Sequence, residues 1–322
     1  MLRIFPRLLL ALMSWLAVCG PTLANDYPNR TIRIVLGLAA GGGGDAFARV
    51  LSEELRKSLG VPVVVENRPG GNETIGARVC ADAEPDGYTV CLLSSEPTTY
   101  HQFLYKNNKF DGARELDTVV TLFLNTFGLA VSSKLNVSSL DDLVALSKAK
   151  PGTLSYGTFF FPLTRFIDKL NSDKGTDIVR VPFRGGADLA NAMLAGSTPI
   201  GLFGLSNMLA QINGGLFTLI GVNSESRSPL YPNVPTFVEL NRGLSPSTWF
   251  GIFSPKRMPR PIMEKLGDEI ERIVRQPEFR QRMYVARGIE PFNLKYEAMM
   301  EYLKKDIAAA STIMKEAGYE PQ

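Results

Sequence analysis

Apolar and polar positions run in short blocks from Thr31 onward, and the blocks change period along the chain. Thr31–Leu38 alternates and is rich in β-branched residues, which predicts a strand. Gly41–Gly44 interrupts it. Phe47, Val50, Leu51, Leu55 and Leu59 then recur at helical spacing, and Gly60 stands where a helix-ending glycine belongs. Val61–Glu66 is a continuous apolar strand, as expected in a sheet covered on both faces. Asn67–Asn72 reads as a loop, Thr74–Ala83 as a short helix, Pro85-Asp86-Gly87 as a turn and Tyr88–Leu93 as a third strand. Such alternation predicts an α/β fold with a parallel sheet.

A second set of elements follows. Strands are predicted at Phe127–Val131, Leu154–Thr158, Ile178–Phe183, Ile200–Phe203 and Phe217–Val222. Helices are predicted at Ser138–Ala149, with Ser138 or Ser139 as cap, after the aromatic loop to about Leu170, at Ala187–Leu194 and at Leu209–Asn213. A loop rich in proline, serine and asparagine spans Asn223–Ser247, and Trp249–Phe253 is a further strand. Ile262, Leu266, Ile270, Ile273 and Val274 mark one helix face, and Tyr296–Ala317 a last helix ending at Gly318. This order predicts two α/β lobes: residues 25–125 plus 250–322, and residues 126–249. Hinges are expected near Asn125–Phe127 and Pro246–Trp249.

The N-terminus reads as an export signal. Arg3 and Arg7 precede an apolar run, Leu8–Val18, too short to span a membrane. Thr22-Leu23-Ala24 supplies small residues for cleavage after Ala24, giving a signal peptide over residues 1–24 and a periplasmic location. Leu16-Ala17-Val18-Cys19 leaves a lipid-modified Cys19 open, although Val18 is bulky for that motif. Cleavage takes the formal charge from +3 to +1, a balance with no global attraction for nucleic acid. Cys80 and Cys91 remain, one late in a helix and one in the next strand, and an oxidising compartment favours a disulfide between them. Metal binding is not expected, because His101 is the only histidine and the cysteines form no close pair.

Most catalytic readings fail on residue content. Ser-His-Asp chemistry would have to use His101, placed here as a surface or loop residue. Ser147-x-x-Lys150 lacks companion motifs, and Asp141-Asp142 and Glu53-Glu54 read as solvated helix faces. The loop Ala39–Gly44 leads from a strand into a helix whose N-terminus suits an anion, with Asp45 as a possible cap. Gly41-x-Gly43-x-x-Ala46 with Glu66 further on also fits a dinucleotide fingerprint, which keeps a nucleotide-binding enzyme as a minor alternative that export disfavours. A P-loop is excluded by the missing Gly-Lys-Ser/Thr.

Several ordered segments carry a family resemblance. They are Tyr27-Pro28-x-Arg30-x-Ile32-Arg33-Ile34-Val35 before Ala39-Ala40-Gly41-Gly42-Gly43-x-Asp45; Val63–Gly70 with Ile75-Gly76-Ala77; Pro85–Thr89; Val181–Gly185; Pro232-x-Val234-Pro235-Thr236; and Trp249-Phe250-Gly251-x-Phe253-x-Pro255. Together they resemble the periplasmic solute-binding proteins of tripartite tricarboxylate transporters, the Bug family. The resemblance implies a type II periplasmic-binding-protein fold, two lobes closing on a small carboxylate and no catalysis. It further implies no cofactor, a monomer, and a membrane permease as partner, with a membrane sensor as the alternative.

Mapped residue by residue, the resemblance implies first-lobe contacts at Leu38, Ala40, Gly41, Gly42, Asp45, Ser94 and Ser95. Second-lobe contacts would come from Thr158, Phe159, Phe160 and Arg165, from Gly185-Gly186-Ala187, and from Phe203. Three departures stand out: Gly37-Leu38 in place of proline and phenylalanine, a shorter aromatic loop Gly157–Arg165, and Gly204 in place of an aspartate. Two readings follow. In one, a less polar carboxylate stacks on Phe159 or Phe160 and pairs with Arg165. In the other, Phe159, Phe160 and Phe161 pack the lobe and binding is weakened or lost; a polar ligand reached in another way is the remaining alternative.

Overall fold

The computed structural model describes residues 27–106, 110–160, 163–241 and 248–316. The proposed leader and Cys19, like Phe161, lie outside these residues. Strand β1 (Ile32–Leu36) pairs in parallel with β2 (Val63–Asn67) and β3 (Thr89–Ser94). The sheet continues through antiparallel neighbours: β4 (Leu116–Asn125), and later in the chain β10 (Thr248–Pro255) and β11 (Glu290–Pro291). Its order is β11-β4-β10-β3-β1-β2. The second sheet comprises β5 (Phe127–Ser132), β6 (Leu154–Thr158), β7 (Ile178–Pro182), β8 (Ile200–Gly204) and β9 (Phe217–Asn223), in the order β7-β6-β8-β5-β9.

The pattern of apolar positions does not reveal β4 as a separate strand. Only Thr126 separates it from β5, yet the two belong to different sheets, so the chain crosses between sheets without a turn. The return crossing lies between β9 and β10.

Helix Gly43–Leu59 buries Phe47, Ala48, Leu51 and Leu55 on one face. Asp45 in its first turn and Arg56 and Lys57 in its last complement the helix dipole, and Gly60 ends it at φ 72°. In helix Leu140–Ala149 the cap is Ser139, whose hydroxyl accepts the Asp142 N–H at 3.1 Å. Two C-terminal helices, Arg260–Val274 and Tyr296–Glu316, pack on the first sheet. The second is anchored by Asp306, which accepts the buried Trp249 indole N–H at 2.9 Å and the Thr99 hydroxyl at 2.8 Å. Cys80, in helix Thr74–Ala81, forms a disulfide with Cys91 on β3, with Cα atoms 6.0 Å apart.

His101 corrects an expectation. It is buried rather than on the surface, with Nδ1 3.1 Å from the Thr74 hydroxyl and its ring against Tyr105. Among the described residues, no helix is long and apolar enough to cross a membrane.

Candidate ligand-binding site

Two helix N-termini meet between the sheets. The glycine loop after β1 opens helix Gly43–Leu59, and Gly185 opens helix Gly186–Ala195. A Cβ on Gly185 would lie 3.1 Å from the Ala39 Cβ, and one on Gly43 would lie 2.5 Å from the Ser206 hydroxyl. Glycine here therefore permits a close approach of the two halves. The Gly43 N–H donates across the gap to Asn207 Oδ1 at 2.6 Å. Asn207 Nδ2 in turn donates to the Gly204 carbonyl at 3.2 Å. The space left, lined by Leu38, Gly42, Gly43, Asp45, Phe159, Phe160 and Asn207 among others, is about 10 Å³, no more than one water occupies.

Asp45 is neither the helix cap nor a free ligand contact. Gly42 is the N-cap residue and gives no side-chain bond. Asp45 reaches back from the first turn to accept the Gly41 N–H at 3.0 Å. It also accepts two bonds from Arg49, at 2.9 and 3.0 Å, and one from Asn67 at 3.0 Å. Burial alone would raise its pKa, but these donors together hold it below the usual carboxylate value. Its folded pKa is depressed, so its stabilising effect is full above about pH 4 and fades as pH falls through the folded value. Asp45→Asn is expected to be less stable than wild type at pH 7, with the gap narrowing below about pH 4. Urea unfolding across that range tests this, and a gap independent of pH would contradict it.

A second, larger cavity of about 660 Å³ lies beside this contact. Gly37, Leu38, the loop 69–73 and Ile75 form one wall, and Phe159 with Pro182, Phe183 and Arg184 the other. That volume falls within the range of small-molecule sites.

The expected contacts divide around these spaces. Leu38 and Phe159 line both, while Gly42, Asp45, Phe160 and Gly186 face only the smaller one. Ala40 and Gly41 are exposed, and Ala187 packs where a Gly41 Cβ would lie. Ser94, Ser95, Thr158, Arg165 and Phe203 line neither cavity. Ser94 is buried against Glu73, and the Ser95 N–H donates to the Trp249 carbonyl at 2.8 Å. The Thr158 hydroxyl accepts the Phe160 N–H at 3.3 Å. Phe203 is buried behind Phe159, with ring centres 6.5 Å apart. Arg165 does not reach the cleft: it donates to the Ile313 carbonyl at 3.0 Å, near the end of the last helix. Phe160 is 1% exposed and serves as core, against Phe127 and Phe250.

Contributors that escape the sequence reading as site residues include Ile75 and Phe183 on the apolar side and Glu73, Arg184, Ser206 and Asn207 on the polar side. Glu73 had one visible signal, an acid between a glycine pair and an apolar helix. Glu66, the candidate ribose acid, is engaged by Arg33 and Arg68 instead.

A family model described as tripartite tricarboxylate transporter family receptor, TctC, matches residues 47–319. The chain belongs to this family. It is 28% identical to Protein BugT of Bordetella pertussis over 322 residues, covering 97% of this chain and 98% of that protein. A UPF0065 protein from the gbd 5' region of Cupriavidus necator is 27% identical over 96% of this chain and 94% of its own length. Among solved structures, periplasmic binding protein BugD superposes with a TM-score of 0.85 at 27% identity, over 92% of this chain and 100% of BugD. R. palustris Rpa4515 with adipate has the same TM-score at 23% identity, over 92% of this chain and 100% of its own, and shows the shared fold. TctC receptors are periplasmic solute-binding proteins and not enzymes.

Proposed function

We propose that this receptor captures a small, weakly polar carboxylate in the 660 Å³ cavity and delivers it to a membrane permease. The observation that carries this reading is the shared lining of that cavity, with Leu38 and Ile75 on one side and Phe159, Phe183 and Arg184 on the other. Apolar surface from both halves suits a hydrocarbon or aromatic body, and the exposed Arg184 supplies a fork for a carboxylate. The glycine loop is not the docking point in this conformation, since Asn207 and Asp45 take the N–H groups of Gly43 and Gly41. The expected boundary at 249/250 falls inside β10, whose Thr248 and Trp249 already pair with β4 of the first sheet. The two bodies are therefore the first sheet, rejoined by the chain from Thr248 onward, and the second sheet, pivoting near Asn125–Phe127 and before Thr248. Adipate, bound to a relative of the same fold, is compatible with this ligand class. Export by cleavage after Ala24 places the protein where such a permease is met.

Thermal unfolding with a carboxylate panel tests the reading. A ligand present at about a hundred times its Kd stabilises by about 2.7 kcal/mol, a rise of several degrees in Tm. 3-Phenylpropanoate and 4-methylpentanoate are expected to raise Tm more than citrate or malate. Stabilisation by citrate and malate alone would overturn the weakly polar assignment, and no response to any carboxylate would overturn the ligand class.

A further inference from the structure

Glu73 is a buried acid in the wall of the large cavity, 4% exposed. Its carboxylate accepts the Ser94 N–H at 2.9 Å and the Ser94 hydroxyl at 2.5 Å, both neutral donors. No ion pair joins it to a cation among the described residues. Its backbone sits at φ 68°, a left-handed conformation that glutamate rarely adopts. Gly37 makes room for it. A Cβ there would stand 2.8 Å from the Glu73 Cβ and 3.0 Å from Oε2, and Gly37 itself lines the same cavity. Both bonds come from neutral donors, so they satisfy Ser94 but leave the charge of the ionised acid without a counter-charge. Arg184 lies on the other wall and supplies the opposite charge.

We propose that Glu73 is a specificity-determining residue that recognises an amino group on the captured carboxylate, so that a zwitterion bridges Glu73 and Arg184. This rests on the carboxylate reading above. The ligand's ammonium gives Glu73 the counter-charge that its protein surroundings lack. Its carboxylate meets Arg184, and its apolar body lies against Phe159, Leu38 and Ile75. Burial pushes Glu73 up to about 7. The charged or titratable groups on the elements packed around it are Arg184 across the cavity, His101, which touches the Thr74 hydroxyl at 3.1 Å, and the buried Glu96, whose N–H donates to the Ser94 hydroxyl at 3.2 Å. Ser94, Gly37, Leu38 and Phe159 bring no charge. The carboxyl therefore gains charge as pH rises through about 7, and the preference for an amine grows with it.

Calorimetric titration of residues 25–322 with matched pairs tests this. The pairs are L-phenylalanine with 3-phenylpropanoate, and L-leucine with 4-methylpentanoate. At pH 8 each amino acid is expected to bind about tenfold or more tightly than its deaminated partner, the scale of one charge-assisted hydrogen bond. The ratio is expected to shrink at pH 6 and to vanish in Glu73→Gln. Equal binding within each pair at pH 8, or a preference that Glu73→Gln leaves intact, would overturn the proposal. Should Glu73→Gln not fold, the change in the wild-type ratio between pH 6 and pH 8 decides alone. Binding of the deaminated acids without an amine preference removes this proposal and spares the carboxylate reading, whereas no binding by any of the four removes both.

Discussion

Phe160→Ala is expected to lower the free energy of unfolding by about 3–5 kcal/mol, the usual cost of truncating a buried aromatic residue. The ring packs against three others. Phe159 lies 4.5 Å away, Phe127 5.0 Å and Phe250 6.2 Å, centre to centre. Phe250 stacks on Phe123 at 4.8 Å, and Phe123 touches Phe47 at 4.7 Å. An aromatic chain thus runs from the loop after β6, in the second sheet, into the core of the first. Deleting Phe160 from it leaves a gap that rigid neighbours cannot refill. Phe159→Ala is different, since that ring already faces open space and its loss enlarges an existing cavity. Its stability cost is expected to be clearly smaller. Urea unfolding of both variants gives the comparison, and equal costs, or a loss below about 1 kcal/mol for Phe160→Ala, would refute the assignment of Phe160 to the core.

Removing the disulfide with the double variant Cys80→Ala, Cys91→Ala is expected to cost about 3 kcal/mol. The bond closes a short loop, with a sequence separation of 11, and the estimate follows from the chain entropy such a loop loses when unfolded. It also ties helix Thr74–Ala81 to the strand that ends at Ser94, which are the two elements that hold Glu73. Guanidinium unfolding of wild type, with and without reductant, should show the reduced protein matching the double variant. Coincident midpoints for oxidised protein and variant would show that the bond adds nothing.

Much of this architecture was legible because period and punctuation agreed. Phe47 to Gly60 reads as a helix with its end marked, and it is one. β4 was not legible as a separate strand because its run Val119–Leu124, broken only by Thr121, passes into β5 across Thr126 with no glycine or proline to divide the two. The sheet change is set by tertiary pairing, which leaves no local mark. The site was legible only in part. Glycines at 41–42 and 185–186 stood out as expected ligand contacts, but nothing local told that the two loops would close on each other. Arg165 carries a charge suited to a ligand, and only the path of the last helix explains why it is bonded to Ile313 instead. Asn207 and Glu73 act through distant residues, Gly43 and Ser94, and such pairing has no sequence period.

The bond from Trp249 to Asp306 has a practical corollary. Trp15 and Trp249 are the chain's two tryptophans, so a protein beginning at residue 25 carries one. That indole is fully buried on the strand by which the chain returns to the first sheet, and its N–H is held by a carboxylate. Its emission is a built-in optical gauge of the return crossing, readable in unlabelled protein as ligands are added.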